Sequence, residues 1–314
     1  MKRFLILMFT SVMIFSLTSC NFATKTYKIE LIVKGSSMEF WKNLSKGAQS
    51  AALANHAEIQ MDGPEEEKDP ADQLRYIEKA IQEKPDAIIL AASDYNRMVK
   101  PVENAVNAGI PVIMVDSDVN SKKTLAYVGT DNIMLGSKLA QSLESRVKTG
   151  GKVAVISFVQ DSYPAVQREK GFRDTMARYS RFQLLKTQYG GSDNAISEKL
   201  TAALLKSEPD LVAIAALNEP SAAGAAQALS KSGRKNVRVF AVDCMPTEAM
   251  YMEQGVVDIA LLQNPYQMGY YSVETAVKAL NGQRVEDVYT DIYTVDKSNL
   301  FDKLYQQLIF PFSN

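Results

Sequence analysis

The chain has 314 residues, 46% of them hydrophobic and 23% charged, which is the material of a soluble globular protein with enough length for two cores. Lys plus Arg number 35 against 36 for Asp plus Glu, and no basic stripe is interleaved with aromatics, so nothing is set up to neutralise phosphates and nucleic acid is not an expected partner. Cys20 and Cys244 are the two cysteines and His56, in "LANHAEIQ", is the one histidine, which argues against an ordinary zinc site.

In chain order, the first segment differs from all the rest. "MKR" supplies a positive start and Phe4 to Leu17 an apolar stretch shorter than the ~20 residues of a spanning helix, so residues 1–19 read as an export signal. The following "LTSC" resembles the bacterial lipobox, which makes Cys20 the expected lipid attachment site and leaves Cys244 with no intramolecular disulfide partner. Residues 20–26 then read as a polar tether.

From Tyr27 onward, strand and helix patterns alternate. "YKIELIVKG" reads as a strand, and "EFWKNLSKGAQSAALA" as a helix with Phe40, Leu44, Ala48, Ala51 and Ala52 at helical spacing. "AEIQMD" is a second strand. "DPADQLRYIEKAIQEK" opens with Asp69 in the N-cap position and Pro70 at the first helical position, and stops before Pro85. "DAIILAAS", "IPVIMV" and "TLAYVGT" are further strands, and the helix over "NRMVKPVENAVNAG" stops at Gly109.

The second half repeats the plan with strands "KVAVISFV", "QLLKTQ", "DLVAIAAL", "VRVFAV" and "DIALLQ". Strands that are continuously apolar rather than alternating, each followed by an amphipathic helix, predict parallel sheets covered on both faces. The fold class is therefore α/β with two doubly wound parallel-sheet lobes. At the end, "YTDIYTVDKSNLF" reads as extended, and "IFPFSN" is expected to pack its aromatics on a lobe surface.

Two strands end alike. "GIPVIMV" runs into Asp116, and "VFAV" into Asp243. In open parallel sheets, ligands bind beyond the carboxyl ends of strands, and the same position in both halves points to a site rather than to two isolated caps.

The order of "FW…GAQSAA", "DAIILAASD", "GIPVIMVD", "GTDN…G", "REKGF", "AIAALNEPSAAGAAQAL", "VFAVD" and "LLQNPYQMGY" resembles the periplasmic sugar-binding proteins of the ribose-binding type, which share their core with LacI-family repressors. The likeness spans roughly residues 27 to 290. It implies two lobes joined by a three-segment hinge and closing on one monosaccharide: residues 27–130 with 264–290 in the N-terminal lobe, 131–263 with 291–314 in the C-terminal lobe and tail. It also implies site roles. Phe40 and Trp41 would stack on the sugar ring; Ser93 and Asp94 would stand near the first-lobe side; Asp116 and Asp243 would accept from sugar hydroxyls; Asn218 and Gln263 would supply amides; and Arg168 matches an arginine position that equally suits packing.

The departures from that pattern are informative. Ser117 stands where ribose binders of this type have an arginine; Met38 and Glu39 replace an asparagine and proline; and Ala91 replaces an asparagine. These put ribose itself in doubt. With Asp94, Asp116, Asp118 and Asp243 against few bases, the expected cleft is acidic or neutral and suits a neutral monosaccharide or cyclic polyol. A repressor would need an N-terminal helix-turn-helix where this chain has its signal, and an enzyme would need a motif such as G-x-S-x-G, H-E-x-x-H or G-x-x-x-x-G-K, none of which occurs. The expectation is a lipid-anchored, extracytoplasmic, monomeric binding protein without cofactor. It would deliver its sugar to the permease of an ABC importer or present it to a membrane sensor kinase or chemoreceptor.

Overall fold

A computed structural model describes residues 25–67 and 70–311. The signal segment, Cys20, most of the tether and the Asp69 N-cap fall outside the described residues, within which no helix is long and apolar enough to cross a membrane.

The chain begins β1 (Tyr27–Ile32), α1 (Glu39–Ala54), β2 (Ala57–Asp62), α2 (Pro70–Glu83), β3 (Ala87–Leu90), α3 (Val99–Asn107), β4 (Val112–Val115) and β5 (Ala126–Gly129). It continues with α4 (Asn132–Arg146), β6 (Gly151–Ser157), α5 (Tyr163–Met176), β7 (Phe182–Leu184), β8 (Gln188–Tyr189), α6 (Asn194–Ser207), β9 (Leu211–Ala216), α7 (Glu219–Ser232), β10 (Arg238–Val242), α8 (Pro246–Glu253) and β11 (Val257–Leu262). It ends with α9 (Pro265–Leu280), β12 (Val288–Tyr289), β13 (Tyr293–Val295) and α10 (Lys303–Ile309).

These strands form a 6-stranded sheet in the order β12-β5-β4-β3-β1-β2 and a 7-stranded sheet whose path is β13-β11-β10-β9-β6-β7, with β8 also on β6. All pairings are parallel except β13 on β11. The chain passes from the first sheet to the second between β5 and α4, returns between β11 and α9, and crosses again between β12 and β13.

The uninterrupted apolar strands have the reason anticipated: successive side chains point to opposite faces, and both faces are covered. In the first sheet, Leu31, Ile89, Ile113 and Val115 pack under α1 and α9, while their neighbours Ile32, Ile88, Leu90 and Met114 pack under α2 and α3. The second sheet divides the same way. Ile156, Ile214, Val239 and Leu262 face α7 and α8, and Val155, Ala215, Phe240 and Leu261 face α4 and α5.

Helices α4 and α5 touch backbone to backbone. A Cβ on Gly136 would lie 2.1 Å from the Arg168 carbonyl oxygen, and one on Gly171 the same 2.1 Å from that of Ile133. Only glycine permits this approach on either helix.

Two readings of the sequence are corrected. "QLLKTQ" is not one strand: β7 pairs with Gly151–Val153 and β8 with Ile156–Ser157, so the segment detaches from β6 and rejoins it. "YTDIYTVDKSNLF" is extended only through β13, then turns and enters α10, a helix that its seven residues are too few to announce by periodicity. Ile309, fully buried, roots α10 in the second-lobe core, with Phe310 packed beside it.

Candidate functional site

The carboxyl ends of both parallel sheets face one cavity of about 510 Å³. From the first sheet it receives Asp116, the residue after β4, and Lys34, two residues after β1; the loop into α2 adds Glu67, and α1 adds Phe40 and Trp41. The second sheet supplies Asn218 after β9, Asp243 after β10 and Gln263 after β11, while α5 supplies Arg168.

Asp116 and Asp243 both leave their strands with positive φ, 58° and 66°. Aspartate tolerates this left-handed conformation better than most side chains. The sharp turn ends the strand while keeping each backbone N–H in the ladder, Asp116 donating to the Val128 carbonyl at 2.9 Å and Asp243 to that of Leu261 at 2.8 Å.

Around Asp116 the site is an ion cluster. The Lys34 ammonium lies 2.9 Å from Glu67 Oε1 and 3.3 Å from Asp116 Oδ2, and donates to Ser117 Oγ at 2.7 Å. Ser117 in turn donates to Asp116 Oδ2 at 2.7 Å. Burial alone would lower the Lys34 pKa, but Glu67 and Asp116 outweigh it and the net shift is upward, so the ammonium stays charged. It sits 5.3 Å from the centre of the Trp41 ring, within range of a cation–π contact.

The opposite wall is organised by Arg168. Its Nε donates to Asn132 Oδ1 at 2.7 Å, Nη1 to the Leu217 carbonyl at 2.9 Å and Nη2 to Gln263 Oε1 at 2.9 Å. Gln263 passes the chain on, its Nε2 donating to both oxygens of Asp243 at 3.1 Å while Oε1 also accepts from Thr130 at 3.0 Å. Burial raises the pKa of Asp243, opposed by Arg168 and the Gln263 contact. Beside it, burial and then the Asp243 charge push Glu219 up to about 7. Asn218 caps α7 through Oδ1, accepting from the Ser221 N–H at 3.1 Å, and its Nδ2 donates to Ser192 at 3.2 Å.

The lobes also touch directly. Ser192, in the loop before α6, donates to Glu67 Oε2 at 3.3 Å. The Tyr95 N–H donates to the Asp161 carbonyl at 3.0 Å, and the Tyr95 and Tyr163 rings stand 5.5 Å apart.

Of the residues singled out from sequence, Phe40, Trp41, Asp116, Arg168, Asn218, Asp243 and Gln263 line this cavity. Ser93, Asp94 and Ser117 do not. The Asp94 carboxylate is occupied by the N–H groups of Asn96 and Arg97 at 2.9 and 2.7 Å; the Ser93 backbone is held by Gln73; and Ser117 is buried behind Asp116. Trp41 is 2% exposed, with Phe40 edge-on at 5.0 Å, so the tryptophan belongs to the core as well as to the cavity wall.

The acidic set also changes. Asp94 and Asp118 are absent from the lining, Glu67 and Glu219 are present, and Lys34 joins Arg168 as a second buried cation. The place of Lys34, two residues beyond the carboxyl end of β1, was a signal in the sequence; its contact with Asp116 was not.

Two doubly wound lobes presenting strand ends to a shared cavity, lined by charged and apolar side chains, define a bilobal ligand-binding fold. The chain matches the periplasmic binding protein domain over residues 29–284 and belongs to that family, one of binding proteins rather than enzymes. The D-ribose/D-allose-binding protein of Pseudomonas aeruginosa is 29% identical over 268 residues, covering 82% of this chain and 84% of its own. The ribose import binding protein of Escherichia coli is 26% identical over 262 residues, covering 83% and 87%. An ABC transporter solute binding protein from Agrobacterium vitis, bound with α-D-tagatopyranose, superposes with a TM-score of 0.87 at 29% identity, covering 90% of this chain and 99% of that one. Another from the same species, with bound D-fucose, gives 0.85 at 31% identity, covering 90% and 99%.

Proposed function

We propose that this protein is an extracytoplasmic solute-binding component that captures one neutral monosaccharide or cyclic polyol between its lobes and delivers it to an ABC importer. The observation that carries the reading is the opposed pair Asp116 and Asp243, the first ion-paired with the buried Lys34 and the second held by the Gln263 amide, which Arg168 holds in turn. Hydroxyls both donate and accept, so a buried polyol needs carboxylates, amides and cationic donors together. Phe40, Trp41 and Phe158 add apolar walls suited to the C–H faces of a sugar ring. The relatives bind D-ribose or D-allose, tagatopyranose and D-fucose by name. Lys34, hydrogen-bonded to Ser117, supplies from the loop after β1 a cation that the arginine of ribose binders would supply beside Asp116. We place the lobe limits at 27–130 with 264–290 and at 131–263 with 291–314, a reading that the sheet memberships of the described strands support.

A thermal-shift screen of residues 21–314 against pentoses, hexoses, inositols, amino acids and metal ions tests this, because a ligand that binds only the folded state raises its melting temperature. Upshifts with sugars or inositols support the reading; upshifts confined to amino acids or metals reject it. Co-purification with a permease, and not with a kinase ectodomain, is expected. Lipid anchoring through Cys20 is part of the same proposal, and Cys20→Ala should release the protein from membranes or block its maturation; a processed variant retained on membranes would contradict it.

A further inference from the structure

The C-terminal helix lies outside every role assigned above, yet two of its neighbourhood's residues, Leu308 and Pro311, line the ligand cavity. Over its described residues the tail is bound to the second lobe at several points. β13 pairs with β11, Arg146 of α4 is ion-paired with Asp296, Lys297 Nζ donates to the Glu253 carbonyl at 2.7 Å, and Ile309 is fully buried in the core under α8. On its other side α10 faces the first lobe. A groove of about 770 Å³ separates Leu304, Gln307 and Leu308 from Asn43 and Lys46 of α1 and Gln267 of α9.

Leu308 and Pro311 are apolar members of the cavity wall. Neither side chain offers a hydrogen bond, so the two can limit the shape of a ligand but cannot hold a hydroxyl. A wall carried by one lobe and facing the other is completed only when the lobes are together.

We propose that α10 is a specificity wall. Leu308 and Pro311 bound the cavity on one side, restrict it to an unextended monosaccharide or cyclic polyol, and place a ring C–H or methyl group rather than a hydroxyl against them. This rests on the sugar-binding reading proposed above.

The test uses residues 21–314 with Leu308→Ala, Leu308→Trp and, as control, Leu304→Ala, whose side chain is on the groove but not the cavity. Affinities are measured by calorimetry for D-ribose, D-allose, D-tagatose, D-arabinose, D-fucose and myo-inositol, and then for the singly C-methylated derivatives of whichever binds, in which a methyl group replaces one ring hydrogen. Because Leu308 packs on the core, the readout is the ratio of derivative to parent affinity on the same variant, from which any loss of stability cancels. In Leu308→Ala, at least one derivative should gain about tenfold over its parent, the usual worth of one carbon in an apolar pocket, and Leu308→Trp should weaken the parent sugar by at least about as much. Leu304→Ala should change neither. Unchanged ratios together with wild-type affinity in Leu308→Trp would overturn the wall while leaving sugar binding intact. A wild-type chain that binds none of the compounds would overturn both.

Discussion

Asp116 and Asp243 occupy equivalent places in the two sheets: each gives its N–H to the neighbouring strand, at 2.9 and 2.8 Å, and each then turns left-handed to present a carboxylate to the cavity. Such a conformation costs about 1 kcal/mol or more for a non-glycine residue, and the same cost is borne at both positions. The partners differ, however. Asp116 belongs to an ion cluster with Lys34 and Glu67, whereas Asp243 is held by the amide of Gln263.

That difference separates binding from stability. Asparagine keeps the tolerance for positive φ, so Asp116→Asn and Asp243→Asn should each weaken sugar binding by about 1.5–3 kcal/mol, the range for hydrogen bonds to a charged group. The melting temperature should fall only for Asp116→Asn, which leaves a buried ammonium with one fewer counter-charge. Calorimetry and thermal melts decide, and unchanged affinity in both variants would reduce the pair to structural turns.

Much of this arrangement was legible in sequence. Continuous apolar runs identified both sheets because each strand is covered on both faces, and strand-end position identified the aspartates. What escaped depended on reach across the chain. Lys34 meets Ser117 over 83 residues of separation, and no periodicity encodes that a long side chain will fold over Trp41 toward β4. Ser93 and Asp94 were placed near the cleft by strand-end position, but the backbone turns after β3 and the carboxylate closes that turn instead. The tail helix is held by Ile309 and its neighbours in the second-lobe core, a tertiary cause that a seven-residue pattern cannot display.

Stability should fall as the medium becomes alkaline. Burial first, and then mutual repulsion with acidic neighbours, raises Glu219 from 4.5 to about 7 and Glu248 to about 8; Glu30 is likewise raised to about 7. A carboxyl that binds its proton more tightly folded than unfolded contributes stability that is fully present below about pH 4.5 and is lost as pH rises through its folded pKa. The melting temperature should therefore drop between pH 5.5 and 8.5, and Glu248→Gln or Glu219→Gln should flatten that drop. A profile equally steep in both variants would refute the assignment.

Closure should be held partly by the bridge from Glu67 through Ser192 to Asn218, which exists only with the lobes together. Ser192→Ala should speed ligand release about 2- to 10-fold, corresponding to a hydrogen bond of about 0.5–1.5 kcal/mol, with little change in association rate. Stopped-flow fluorescence of Trp41 reads both. Ser192→Gly should release as fast but melt higher, because φ at this residue is 57° and glycine removes the conformational cost. Release at the wild-type rate in both would show the bridge to be inconsequential.

The position of Arg168 should depend on a glycine that never touches the ligand. A Cβ on Gly136 would fall 2.1 Å from the Arg168 carbonyl oxygen and 2.8 Å from the Phe172 nitrogen, and since both are backbone atoms no rotamer change can relieve the clash. Gly136→Ala must push α5 away from α4, at a cost of about 1–3 kcal/mol for an overpacked interface. Helix α5 carries Arg168, whose three hydrogen bonds of 2.7, 2.9 and 2.9 Å fix the wall that orients Gln263 and Asp243. Affinity should therefore fall together with stability. Leu205→Ala provides the comparison, because Leu205 is buried in the core on the opposite face of the same sheet and its loss destabilises without moving α5. Measured well below both melting temperatures, Gly136→Ala should bind sugar several-fold more weakly than Leu205→Ala. Equal affinities would mean that the wall tolerates displacement of α5 and that Arg168 serves only the packing of its lobe.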